Sequence, residues 1–137
     1  MTIMKRKVSI RIGLIKVEAE FIDNATSDAI WRALPLESVV NRWGEEIYFS
    51  IPVTLGLENG QELVSSSDIA YWPPGKAFCI FFGATPASVG KEIRPASEVN
   101  VFGKVTGDIE ALRHVSDGER IFVEKNGVES AISANEL

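Results

Sequence analysis

Three short stretches combine residue types that can act on a ligand together. Arg42-Trp43-Gly44 places a guanidinium beside an indole, a pairing that presents one planar surface, polar in part and apolar in part, to a peptide or small molecule. The competing structural reading ties Arg42 to Glu45 or Glu46 and uses Trp43 to cover the end of the fold. Tyr71-Trp72-Pro73-Pro74-Gly75 puts two large aromatics beside a stiff turn, which suits recognition of proline or an apolar group, although such rings also simply pack on rims. Arg94-Pro95 adds a second cation that could meet an anionic group, where a solvated loop arginine is the plainer reading. Tyr48 and Phe49 alternate, so they face opposite sides of a strand and one of them belongs to the core.

Other chemistry is poorly represented. His114 is the only histidine and has no neighbouring ligand type; near the end of a short helix its imidazolium would favour the helix C-terminus. Cys79 is the only cysteine and lies inside an apolar run, where a thiol acts as a small hydrophobe. Glu45-Glu46 reads as a solvated acidic pair. There is no phosphate-binding loop, no zinc-type cysteine or histidine spacing and no nucleophile elbow. No metal and no redox or nucleotide cofactor is therefore expected.

These residues need elements to hold them. Val8, Ile10 and Ile12 alternate with polar residues, then the phase flips across Gly13-Leu14 so that Ile15, Val17, Ala19 and Phe21 become the apolar set. That pattern predicts two half-buried strands joined by a tight hairpin or bulge. Asn24 or Thr26 can cap a short helix bearing Ala29, Ile30, Ala33 and Leu34, which Pro35 stops. Ile47–Ile51 reads as a strand, and Asn59-Gly60 signals a hairpin between 53–58 and 61–64. Ile69–Trp72 is a short strand, and the uninterrupted Ala77–Phe82 run predicts one buried on both faces. Gly83–Glu98 is a long loop, functional or mobile. Val99–Val105 is a strand, Thr106 or Asp108 caps a second short helix, and 120–125 with 128–132 forms a closing hairpin.

The predicted fold is mainly β: a closed barrel of about eight strands with two short helices capping its ends, in a single domain spanning 1–137. At 137 residues and 45% hydrophobic, the chain can bury roughly two-thirds of its unfolded surface without a disulfide or structural metal. Fourteen basic and nineteen acidic residues give a net charge of −5. Three of the positives, Lys5, Arg6 and Lys7, cluster in a basic N-terminal segment, 1–7, which is expected to be loosely ordered. The remaining body repels polyphosphate, so nucleic acid is an unsuitable partner. No apolar core follows the basic start as in a signal peptide, and no run approaches a membrane span. A cytoplasmic location without membrane attachment is expected.

Several segments, in order, resemble the cyclophilin fold. Val99–Val105 followed by Asp108–Leu112 resembles the strand-plus-helix ending of cyclophilins, roughly V-V-F-G-K-V and then a helix. Phe78–Thr85 is similar to their buried F-F-I strand, and Lys16–Leu34 to their second strand and first helix. More closely, Leu34–Ser38, Asn41–Glu46 and Tyr71–Lys76 look like a small prokaryotic family of cyclophilin-like domains related to a Thermotoga protein.

The resemblance implies a cyclophilin-like barrel with a ligand groove and raises peptidyl-prolyl isomerisation as its activity. Twisting an X-Pro amide costs about 18–20 kcal/mol, and a fixed cationic donor aimed at the prolyl nitrogen stabilises the twisted state over the planar one. Yet the F-H-R-V-I, Q-G-G-D and G-T-G-G words of cyclophilins are missing, and Val99 stands where an ungapped alignment expects histidine. Arg42 is the nearest candidate for the catalytic arginine. Alignment of the buried strand puts Phe81 or Phe82 near the proline-pocket phenylalanine. The resulting expectation is a groove for a peptide or small apolar ligand, with Arg42 as donor and Trp43, Tyr71, Trp72, Phe81, Phe82 and Arg94 as binding residues. The alternative is a non-catalytic barrel whose Trp/Phe surface forms a homo-oligomer or protein–protein interface.

Overall fold

A computed structural model describes residues 6–126. Nine strands, all in antiparallel pairs, form one sheet: β1 (Arg6–Ile12), β2 (Ile15–Phe21), β3 (Leu36–Val39), β4 (Asn41–Arg42), β5 (Glu46–Ser50), β6 (Asp68–Trp72), β7 (Ala77–Phe81), β8 (Asn100–Val105) and β9 (Arg120–Lys125). Their spatial order is β3-β9-β1-β2-β8-β6-β7-β5-β4. The two edge strands, β3 and β4, are consecutive in sequence with only Val40 between them. Val40 joins the edges, its backbone bonded both ways to Glu119 and Gly118, so the sheet curls into a nearly closed barrel.

Period-two patterning fills the interior. Val8, Ile10 and Ile12 of β1, Ile47 and Phe49 of β5, Phe78 and Ile80 of β7 and Phe102 of β8 point inward and are buried. Phe21, Phe49, Phe78 and Phe102 meet with ring centroids 4.9–6.3 Å apart, at separations where aromatic pairs attract beyond their buried area. Gly13 lies at φ +59° and opens a two-residue loop between Ile12 and Ile15. Glycine tolerates this conformation at the first position of a type II′ hairpin, and the turn flips the apolar phase.

The helix α1 (Ala25–Ala33) starts where expected. The Asn24 side chain accepts from Ser27 N, and Leu34 ahead of Pro35 takes an extended conformation that ends the helix. The second helix is a 3-10 helix, Ile109–His114, capped by Asp108, with His114 exposed.

Two differences from the sequence reading stand out. Strands β3 and β4 went unpredicted because they are short and carry little alternation; β3 is fixed by pairing with β9. The Asn59-Gly60 hairpin does not form. Asn59 does turn, at φ +52°, but Gln61 pairs instead with Val99 and Val64 with Ile93. The Glu58 carboxylate takes hydrogen bonds from Ala25 N, Thr26 N and Thr26 Oγ1 at the start of α1. Buried Asn100 ties the same excursion down through Glu58 N, Thr26 Oγ1 and Gly56 O. Tertiary pairing thus outcompetes a local turn signal. The expected strand 128–132 and most of the basic segment 1–7 lie outside the described residues.

Candidate functional site

The β5–β7–β6–β8 wall of the barrel has two faces, and strand parity sorts the candidate residues between them. Residues one step apart from the inward set point outward: Glu46 and Tyr48 of β5, Cys79 and Phe81 of β7, Ala70 and Trp72 of β6. All of these but Glu46 join Val99, Val101, Ile93 and Val64 in a second apolar cluster outside the barrel. The 83–98 loop folds over this outer face and leaves a cavity of about 250 Å³, lined by Trp43, Glu46, Tyr48, Trp72, Cys79, Pro95, Ala96 and Val99.

A second two-residue hairpin builds one side of the cavity. Gly44, at φ +62°, opens the loop between β4 and β5, and Trp43 N donates to Glu46 O at 2.9 Å. Trp43 and Glu46 are therefore a cross-strand pair with side chains on one face. A Cβ on Gly44 would lie 2.8 Å from Pro86 Cδ, so this turn also seats the covering loop. On the other side, Trp72 Nε1 donates to Ser97 Oγ at 2.7 Å. The Trp72 ring lies against Gly75, where a Cβ would sit 2.8 Å from ring carbons.

The loop itself is stitched at several points. Glu92 accepts from Val89 N and Gly90 N, which hold its carboxyl down to about 2. Thr85 Oγ1 donates to Arg94 O, and Val64 N donates to Ile93 O. These bonds tie the segment down and set Pro95 and Ala96 over the cavity.

The chemical centre of the cavity is Glu46. It is 5% exposed, and burial among apolar groups pushes its carboxyl up to about 7, against a smaller opposing effect from its hydrogen bond with Cys79. Cys79 opposes Tyr48 on β5. Burial, with the Glu46 charge adding to it, pushes the Cys79 thiol well up. Among the described residues no cation forms an ion pair with Glu46. Reading Glu45-Glu46 as a solvated pair is thus corrected for Glu46: its place opposite Trp43 takes it under the loop.

Of the residues singled out in the sequence, Trp43 and Trp72 meet at this cavity and Phe81 packs in the wall behind it. Arg94 borders a shallower depression that shares Pro95 and Ala96 with the cavity, and it pairs with Glu92. Tyr71 is placed in the barrel core, 0% exposed, with its hydroxyl donating to Val53 O at 2.6 Å.

Arg42 turns away from the cavity. Its Nε donates to Gly44 O, and its Nη1 donates to both Arg113 O and Val115 O at 2.8–2.9 Å. Its Nη2 lies 3.4 Å from Glu45, and the guanidinium stacks 5.0 Å above the ring of buried Phe82. Arg113 joins the same cluster through Glu45 and Phe82 O. Arg42 and Phe82 together therefore clamp the 3-10 helix onto the barrel end.

Glu46, Tyr48, Cys79, Pro95, Ala96 and Val99 were not selected from sequence. Alternation could have placed Glu46 with Tyr48 and Cys79 with Phe81, but nothing local announced that a distant loop would cover them. Among the described residues no group of His, Cys, Asp and Glu could hold a metal ion, and no helix is long and apolar enough to cross a membrane.

The family model described as Cyclophilin-like matches residues 6–124. Five chains of solved structure match. One is a hypothetical protein from Archaeoglobus fulgidus, determined in solution, which is 43% identical, covers 89% of this chain and 95% of its own, and superposes with a TM-score of 0.76. No curated protein matches the chain.

Proposed function

This chain belongs to the cyclophilin-like family, and from that premise we propose that it is a binding domain whose ligand site is the outer-wall cavity between Trp43 and Trp72. The observation that carries the reading is a buried carboxyl at the floor of an aromatic cavity, with no cation paired to it among the described residues. Placing Glu46 there costs stability, and a cavity that served only packing would be filled by an apolar side chain at no such cost. At about 250 Å³ the space falls below the roughly 300–1,000 Å³ of drug-sized sites, so its occupant is a small molecule or one side chain of a peptide. The interface alternative loses support because Tyr71, Phe81 and Phe82 are buried within one chain, leaving little of a Trp/Phe surface for a second copy.

Trp43 and Trp72 are two of only three tryptophans, so their emission reports occupancy directly. Titration with small amines, amides and short proline-containing peptides should change that emission, and Trp43→Leu should abolish the change. Saturating titrations with no response in the intact protein would sink the reading.

Prolyl isomerisation is a second reading with its own support. Near neutral pH a protonated Glu46 can donate a hydrogen bond into the cavity, whereas the Arg42 donors are taken up by three carbonyls and Glu45. If catalysis exists, the rate on a proline-containing peptide should fall as pH rises through about 7, and Glu46→Ala should remove it while Arg42→Lys retains it. A rate insensitive to both pH and Glu46 rules this route out.

A further inference from the structure

We propose that the cavity takes an alkylated ammonium ion, with Glu46 as its counter-charge and Trp43, Tyr48 and Trp72 as its aromatic wall. This rests on the cavity being the ligand site. Aromatic faces carry negative quadrupole density, and an organic cation over them gains most when water is excluded. Three such rings and one carboxyl around a space of about 250 Å³ form a site electrostatically suited to a single positive charge wrapped in methyl or methylene groups.

Other ligand classes fit less well. An anion would meet the Glu46 carboxylate in a space otherwise lined by aromatic and apolar groups. A neutral apolar molecule would fill the space but leave the carboxyl without a use. A guanidinium spreads its charge over a planar fork that calls on both carboxylate oxygens at once and gains least from a wall of methyl-sized apolar contacts. An ammonium needs only one oxygen. The nearby arginines supply no internal substitute: Arg42 and Arg113 are tied to Glu45, and Arg94 to Glu92.

The pairing has a pH signature. Empty, Glu46 holds its proton up to about 7; to pair with a permanent cation it must release that proton. The other groups around it are Trp43 from the β4–β5 turn, Tyr48 of β5, Cys79 and Phe81 of β7, Trp72 of β6, and Pro95, Ala96 and Val99 from the covering segment. None of these carries a charge that opposes a cation, and burial pushes the Cys79 thiol well up. The affinity for a quaternary ammonium should therefore rise about tenfold per pH unit up to roughly 7 and level off beyond it.

The test compares choline with dimethylbutanol, its neutral carbon isostere, by calorimetry and tryptophan emission at about pH 8. Choline should bind at least about tenfold tighter, and Glu46→Gln should reduce that preference several-fold, leaving only the share due to the rings, and erase the pH dependence. Glutamine has nearly the same shape as the protonated acid, and far-UV circular dichroism confirms that the variant is folded. Equal or weaker binding of choline overturns the ammonium assignment while leaving the cavity as a site for neutral ligands. If neither compound binds, the ammonium assignment falls, and the absence of any emission change with the isostere counts against the cavity itself. A peptide bearing trimethyllysine separates the sources: binding well above that of choline assigns the ion to a protein side chain, and binding no better assigns it to a free small molecule.

Discussion

Two charged residues near one turn show how differently neighbouring side chains can be used. Arg42 satisfies carbonyls at Gly44, Arg113 and Val115 while resting on Phe82. Removing it leaves those carbonyls without a charged donor, and hydrogen bonds to charged groups contribute about 1.5–3 kcal/mol each. Arg42→Ala should destabilise the fold by about 2–4 kcal/mol in urea unfolding, with affinity for a cavity ligand changed by less than about twofold. Unchanged stability combined with lost ligand binding would return Arg42 to the site. Glu46, by contrast, lies against the Cys79 thiol, whose ionisation burial and that carboxyl both oppose. Cys79 should therefore resist alkylation by iodoacetamide in the native protein at about pH 8 and react readily once unfolded. Rapid native labelling would mean that the floor of the cavity is open to solvent.

At the level of elements, the fold was legible wherever a local pattern coincided with its tertiary use. The phase flip at Gly13-Leu14, the Asn24 cap, the Asp108 cap and the all-apolar Ala77–Phe81 strand each had a local cause and each is present. Asn59-Gly60 misled because a turn signal specifies a bend, not which strands flank it. The site was half legible. Aromatic and charged types marked Trp43 and Trp72, but choosing among neighbours needed parity and register. Tyr71 and Phe82 fall one step out of phase with the outer face and so enter the core or the barrel end. Glu46 became visible only through the Trp43-Gly44-Glu45-Glu46 hairpin, a word of the same form as Ile12-Gly13-Leu14-Ile15. The turn after β6 offers a direct test. Gly75 does not require a left-handed φ, so alanine is permitted by the backbone, yet its Cβ would sit 2.8 Å from the Trp72 ring. Gly75→Ala should shift Trp72 emission and weaken ligand binding several-fold. Gly90→Ala, whose Cβ would come no closer than 3.4 Å to Glu92 Oε1, should do neither, and similar effects from both would point to a general loosening of the protein.

For the molecule as a whole, these carboxyls pull stability in opposite directions with pH. Glu58, held by the N–H groups at the start of α1, and Glu92, held by Val89 and Gly90, ionise more easily folded than unfolded. Their contribution is present above the unfolded value of 4.5 and is lost as pH falls through the lowered folded values, toward about 2 for Glu92. Glu46 has the reverse sign, its folded value raised from 4.5 to about 7. Between those two the unfolded chain has released a proton that the native state still holds, so stability declines as pH rises and then stays level above about 7. One pKa unit corresponds to about 1.4 kcal/mol, which makes the Glu46 decline about 3 kcal/mol. Stability should therefore peak near pH 4.5–5, below the range usual for globular proteins. The net charge of −5 near neutrality adds self-repulsion in the same sense. Urea unfolding across pH 3–8 should show this displaced maximum. In Glu46→Gln the decline above 4.5 should largely vanish, making the variant more stable than the wild type at pH 8 and equal to it at pH 4. A bound cation should flatten the wild-type curve in the same range, because it stabilises the ionised Glu46 that the empty cavity disfavours.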